Sequence, residues 1–393
     1  MAPPDRRLFG LIFAAIVAVI AVLVWNFAPA VLDSQLNLVR PSKTVIVSDH
    51  AYRLHATLRI VDLHADSLLW NRDLLQRNNR GHADIPRLRD GMVCLQAFTI
   101  VTKMPFEMRL EGNSDKSDLI TLLAIVEHWP ISSWGSLTER ALYQADKLQQ
   151  FAKDSNGVFR IIRSKKDLDD YLISYGKSPG LLAGFLGIEG AHALEGDLRN
   201  VDVLYDAGVR MIAPTHFFDN DIGSSAHGLA DNGLTEKGKQ MIRKMQERRM
   251  VVDLAHASPK TIDDVVSIAK APVIVSHTGV KGTCNNVRNL SDDQIRAIAK
   301  TGGVIGIGYW STAVCGTDAR AIARAIHYAV KKIGVDHVAL GSDFDGATTV
   351  PFSASELTQL TQALIDEGLT DDEIKQVMGE NAIRVLSDCL PRD

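Results

Sequence analysis

From Arg59 onward, short apolar and β-branched runs alternate with amphipathic stretches. The runs are Ile60–Leu63, Met92–Thr99, Leu182–Ile188, Met211–Pro214, Val251–Leu254, Val273–Ser276, Val304–Gly308 and Val338–Gly341. Helical periodicity follows most of them, at Asn200–Ala207, Glu236–Arg248, Pro259–Ala269, Asp292–Thr301, Asp318–Ile333 and Ala354–Glu367. Ser258-Pro259 and Ser291-Asp292-Asp293 supply start signals, because a hydroxyl there caps the first free amides of a helix. Strand and helix in regular alternation imply a parallel sheet. Eight such units predict an α/β fold, a TIM-type (β/α)8 barrel. Between the second and third strands, residues 103–180 form an insertion with a long helical stretch around Leu119–Phe151 and a possible short strand at Val158–Ile162. No linker composition marks it off, so it reads as an elaboration of the barrel.

The N-terminal pattern is different. No charged side chain occurs from Leu8 to Leu32, with Arg6 and Arg7 before the run and Asp33 after it. About 20 helical residues cross a hydrocarbon core of about 30 Å, so residues 1–34 are expected to hold a transmembrane helix and residues 35–393 the barrel. The arginines favour a cytoplasmic N-terminus and a periplasmic body, attached to the plasma (inner) membrane by a single pass. A cleaved signal peptide is the competing reading, since Ala28-Pro29-Ala30 has the spacing of a cleavage site; the run exceeds the roughly 7–15 residues of a signal core. Both readings export the body. The C-terminal LSDCLPRD lacks the hydrophobic tail of a lipid-anchor signal.

Composition narrows the function. With 46% hydrophobic and 23% charged residues in 393, the chain can bury a large core. A net charge of −4 without any basic run gives no reason to expect nucleic acid. Cys94, Cys284, Cys315 and Cys389 are widely spaced and form no metal knuckle. Export permits a disulfide, but a chain of this size does not need one, and buried free thiols are the plainer expectation.

The chemistry lies at the ends of the apolar runs. His64 and Asp66 close the first, Glu189 the third, His256 and His277 the fifth and sixth, and Asp343 the eighth. Active sites of such barrels occupy the C-terminal strand ends, so residues distant in sequence converge there. His64 and Asp66, two apart on an extended segment, point the same way and can share a metal. Three imidazoles and three carboxylates exceed the three protein ligands usual at one catalytic zinc. Two metals bridged by one carboxylate is the economical reading, with Glu189 as the bridge and a shared water available as hydroxide. Asp343 is then free to take and deliver a proton.

Taken together, DLHAD at 62–66, GIEGAHAL at 187–194, APTH at 213–216, DLAHAS at 253–258, VSHTG at 275–279, NVRNLSDDQ at 286–294 and GSDFDG at 341–346 resemble the membrane dipeptidase family, the renal-type dipeptidases of the amidohydrolase superfamily. RGHADIPRLRDG and GGVIGIGYW look like its bacterial branch. The resemblance implies a zinc-dependent dipeptidase, with His64 and Asp66 on one Zn2+, His256 and His277 on the other, and Glu189 bridging both. It implies that Asp343 is the acid/base residue, that His216 stabilises the tetrahedral intermediate, and that Arg288 holds the substrate's carboxylate, a task suited to a guanidinium. The stretch after His216, FFDNDIGSSAHG, departs from the mammalian members, which leaves side-chain preference open. Other two-metal amidohydrolases, acting on a lactone, an acylated amino acid or a β-lactam, share the activated water and remain alternatives, as does a membrane-tethered binding protein on an inactive barrel. The expected substrate is a small dipeptide, and barrels of this kind often pair as homodimers.

Overall fold

The computed structural model describes residues 6–41, 45–178 and 180–393. Eight parallel strands form the barrel: β1 (Ile60–Ala65), β2 (Val93–Val101), β3 (Leu182–Glu189), β4 (Val209–Ile212), β5 (Val251–Val252), β6 (Ile274–Thr278), β7 (Val304–Ile307) and β8 (Val338–Leu340). Each pairs with its sequence neighbour, and β8 pairs with β1, so that one parallel sheet runs from β5 through β1 to β6. The remaining seam, between β5 and β6, is held by an Asp253–Ile274 bridge, in which Leu254 N donates to Ile274 O at 2.8 Å. The expected TIM-type barrel is therefore present, with every strand near its expected place.

The outer helices form as their patterns require. Ser258 and Ser291 each cap their helix, Ser291 within a reciprocal capping box with Gln294. Two helices that the apolar pattern above leaves out, Lys165–Lys177 and Asp371–Lys375, begin at capping boxes of Ser164 with Asp167 and Thr370 with Glu373. From Asp371 the chain stays helical through Cys389, and Leu386 and Leu390 pack on an apolar cluster with Val61, Leu95, Phe185 and Val304.

In the insertion, the long helical stretch expected around Leu119–Phe151 is present as helices Leu119–Val126 and Leu137–Asp154 with a short helical turn, Ser132–Gly135, between them. The break follows from Pro130, which has no amide to continue the ladder, and from His128, whose φ is 59°. The short strand is real and pairs Phe159–Ile161 with β3.

The N-terminal helix runs from Arg6 to Leu36, past the boundary expected at residue 34. Its stretch Gly10–Leu36 is long and apolar enough to cross a membrane. Cys284 and Cys315 are joined by a disulfide, a correction to the expectation of free thiols. The reason is spatial: the loops that carry them follow the adjacent strands β6 and β7. Cys94 and Cys389 are free and buried.

Candidate metal centre and active site

All of the residues singled out at strand ends meet in one place. His64 Nε2 lies 3.0 Å from Glu189 Oε1 and 3.5 Å from Asp66 Oδ1. His277 Nε2 is 3.3 Å and His256 Nε2 3.7 Å from the same Glu189 oxygen, and the two Nε2 atoms are 3.0 Å apart. Glu189, at the end of β3, is thus the common neighbour of every imidazole. Asp343 Oδ1 is 3.9 Å from His64 Nε2. His216, in the loop after β4, brings its Nε2 to 2.7 Å from Glu189 Oε2. Arg288, in the loop after β6, donates from Nη2 to His277 O at 2.7 Å and lies over the Trp310 ring.

These side chains are almost wholly out of water, and burial sets their charges. It pushes the Asp343 carboxyl up, with Asp66 and Glu189 adding to the effect against His64 and Arg288, so the group lies well above the usual carboxylate range. Burial also acts to raise Glu189, but His216 and His64 outweigh it and hold that carboxylate well below its usual value. His256 and His277 are lowered, first by burial and also by the Arg288 charge. Arg288 itself is pushed down to about 10 by burial.

The donor set suits divalent metal. Three overlapping groups, His64/Glu189/His277, Glu189/His216/His256 and His64/Asp66/Asp343, each gather their ligand atoms within 4.8 Å. Glu189 Oε1 is buried without a hydrogen-bond partner, which is costly unless something else satisfies it. Gly346 keeps space over the carboxylates, since a Cβ there would lie 2.1 Å from Asp343 Oδ1 and 3.1 Å from Asp66 Oδ2.

Sequence reasoning missed the residues that aim the ligands. The Ser276 hydroxyl donates to Asp253 Oδ2 at 2.6 Å, which leaves its oxygen to accept from His64 Nδ1 at 3.2 Å and His277 Nδ1 at 3.0 Å. That pattern fixes both rings with Nε2 free to bind a cation. Thr99 Oγ1 donates to Asp66 Oδ1 at 2.6 Å. The clue to Asp253 was its place three residues before His256 in VVDLAH; only the pairing across the barrel seam sets its side chain against Ser276.

A cavity of about 220 Å³ opens on this cluster, walled by Met108, Leu110, Phe217, His227 and Trp310. Met108 and Leu110 come from the insertion, which the sequence left without a role. Neighbouring loops are braced to one another: Asn289 Nδ2 donates to Cys284 O at 2.7 Å and Ala313 O at 2.9 Å, beside the Cys284–Cys315 disulfide. The loops carrying Arg288 and Trp310 are thereby fixed together.

A pocket with a buried carboxylate at the centre of four imidazoles, two further carboxyls and one guanidinium is equipped for metal-assisted hydrolysis of a small anionic substrate. Comparison with known proteins agrees. Residues 48–390 match the model of the family described as membrane dipeptidase, peptidase family M19. An uncharacterized dipeptidase of Schizosaccharomyces pombe is 29% identical over 319 residues, covering 77% of this chain and 71% of that relative. Among solved structures, a metallo peptidase from Rhodobacter sphaeroides, liganded with a phosphinate mimic of the dipeptide L-Ala-D-Ala, superposes with a TM-score of 0.71 at 23% identity, covering 85% of this chain and 99% of that one. The probable dipeptidase PvdM from Pseudomonas aeruginosa gives a TM-score of 0.73 at 20% identity, over 88% and 98% of the two chains. These structural likenesses carry the fold.

Proposed function

The chain belongs to the membrane dipeptidase family and is a metallo-dipeptidase, and from that premise we propose a membrane-tethered enzyme that cleaves free dipeptides with two zinc ions. His64 and Asp66 would hold one ion, His256 and His277 the other, and Glu189 would bridge them. The observation that carries this reading is the convergence of His64, His256 and His277 on Glu189 Oε1, with Asp66 beside His64; that oxygen has no hydrogen-bond partner among the described residues. When bound, the ions supply Lewis acidity, which acidifies water and polarises the scissile carbonyl.

The chain's own residues do the rest. Asp343, whose carboxyl burial pushes up and which lies 3.9 Å from His64 Nε2, is placed to hand a proton to the leaving amine. His216 supplies a donor to the carbonyl oxygen as charge develops there. Arg288 is buried at the cavity wall with no carboxylate partner within hydrogen-bond reach among the described residues, so the substrate's terminal carboxylate fits it. A small cavity with a fixed guanidinium in its wall favours dipeptides over longer chains.

Export of the body is supported by the apolar N-terminal helix and by the disulfide, a bond typical of oxidising compartments. The single pass would leave the N-terminus in the cytoplasm and the barrel in the periplasm.

The test is hydrolysis of a panel of L–L and L–D dipeptides and their end-blocked forms, before and after chelation and return of zinc. Chelator-sensitive cleavage of free dipeptides, restored by zinc, is expected. Cleavage of blocked forms or lactones in their place would reject the dipeptide assignment. The L–D members matter because the R. sphaeroides structure carries an L-Ala-D-Ala mimic.

A further inference from the structure

The N-terminal helix is built into the catalytic end of the barrel. If about 20 residues span the hydrocarbon core, the uncharged run that starts at Leu8 is used up at Phe27. Residues 22–27 are exposed, and from Pro29 the helix docks on the body. Pro29, Asp33 and Asn37, four residues apart and so on one helix face, are buried. Asp33 Oδ2 pairs with Arg72 Nε at 3.0 Å and Arg80 Nε at 3.1 Å. Arg72 continues to Asp345 at 2.6 Å, and Asn37 Oδ1 accepts from Ala347 N at 2.9 Å. Leu38–Val39 then pairs in parallel with Thr349–Val350. Arg72 and Arg80 follow β1, and Asp345 to Val350 follow β8, so every one of these contacts lies at the C-terminal end of the strands. A helix fixed in this way brings the membrane surface to within a few residues of that end.

The insertion shows which part of the body meets the surface. The His128 ring stacks on Trp25, with centroids 4.1 Å apart and planes at 17°, and its Nε2 donates to Trp25 O at 2.9 Å. Trp25 stands near the end of the span, where indole rings favour the headgroup layer. On either side of His128, Leu122 is 50% and Ile131 76% exposed. Both keep half or more of their surface uncovered, and both flank the residue that grips the helix at membrane level.

We propose that residues 119–131 of the insertion rest in the headgroup layer of the membrane that holds the helix, with Leu122 and Ile131 inserted as apolar contacts, so that the catalytic end of the barrel faces the bilayer. The proposal rests on the anchor reading above. Its partner is the lipid surface itself, and its basis is continuity with the docked helix.

The full chain in phosphatidylcholine vesicles provides the test. Leu122→Cys and Ile131→Cys each carry an environment-sensitive dye, with Ile173→Cys as control. Ile173 is also exposed, at 59%, on the helix whose Tyr171 hydroxyl donates to Cys94 O at the opposite end of the barrel. The native cysteines are buried or bridged and leave the label specific. Lipid-borne nitroxide is expected to quench positions 122 and 131 several-fold more than 173. Equal quenching at all three, in protein that floats with the vesicles and resists alkaline extraction, would overturn the surface and leave the anchor standing. Protein that fails to float would overturn both.

Discussion

Two buried charged clusters share the catalytic end of the barrel, and they differ in how their charge is settled. Around Arg72, the carboxylates of Asp33 and Asp345 face the guanidinium groups of Arg72 and Arg80, so the chain balances itself. Around Glu189, three carboxylates, Asp66, Glu189 and Asp343, meet one guanidinium, Arg288, and a ring of imidazoles. Asp343 and Asp345 make the contrast within one loop. Both are buried and both have left-handed backbones, with φ of 60° and 63°. Burial pushes both carboxyls up, but Arg72 and then His82 bring Asp345 below its usual range, while Asp66 and Glu189 drive Asp343 further up. A buried charge that the chain compensates is scaffold. One that it leaves uncompensated marks where a cation and a substrate belong.

Breaking the balanced cluster should cost folding. Arg72→Ala leaves Asp33 and Asp345 buried without their shared partner and is expected to destabilise the protein by about 3–5 kcal/mol, read from denaturant unfolding at neutral pH. A loss under 1 kcal/mol would mean that the two carboxylates are not held by charge pairing.

In the unbalanced cluster, the same kind of change should cost chemistry. Asp343→Asn is expected to lower turnover by roughly 10²–10⁴-fold with bound metal unchanged by elemental analysis. Metal and activity lost in parallel would make Asp343 a ligand and remove its separate role.

Acid should find the balanced cluster through His82. Its pKa is lowered to about 4, first by burial, against the pull of Asp345, and its Nδ1 accepts from Asp345 N at 2.9 Å, as a neutral ring does. A histidine whose pKa falls on folding contributes stability that is complete above about 6.5 and is lost as pH drops towards 4. His82→Asn should therefore flatten the pH dependence of unfolding between those limits, by up to about 3 kcal/mol. Superimposable acid limbs in the two proteins would count against His82.

The smallest effect sharpens the substrate side. Arg288→Ala should weaken free dipeptides by roughly 10–100-fold in kcat/KM, the worth of a hydrogen bond to a charged group, and carboxyl-amidated dipeptides much less. Equal losses on both substrates would detach Arg288 from the carboxylate.

Much of the barrel was legible because a strand buried on both faces must be a continuous apolar run, and eight such runs are hard to mistake. The metal-ligand candidates were legible for a related reason: a His, Asp or Glu that abruptly ends an apolar run sits where such barrels do chemistry. The helix break at His128 was less visible, since Pro130 only weakly interrupts an otherwise amphipathic stretch. Ser276 and Asp253 were invisible because their roles depend on which side chains face each other across the seam between β5 and β6. Asp33 read simply as the first charge after an apolar run, yet it is nearly the most deeply buried carboxylate outside the site, at 1% exposure.

By itself the sequence determined the strand–helix alternation, the eight strands and the identity of the chemistry-bearing residues, because each is written in local periodicity or in side-chain type. Only the tertiary structure decided that the helix at the front is docked on the loop after β8, that Cys284 meets Cys315, and that insertion residues wall the cavity over the metal-ligand candidates. Those facts depend on distances between segments far apart in the chain. Local pattern carries no such information, because packing and charge compensation are settled only when the barrel closes.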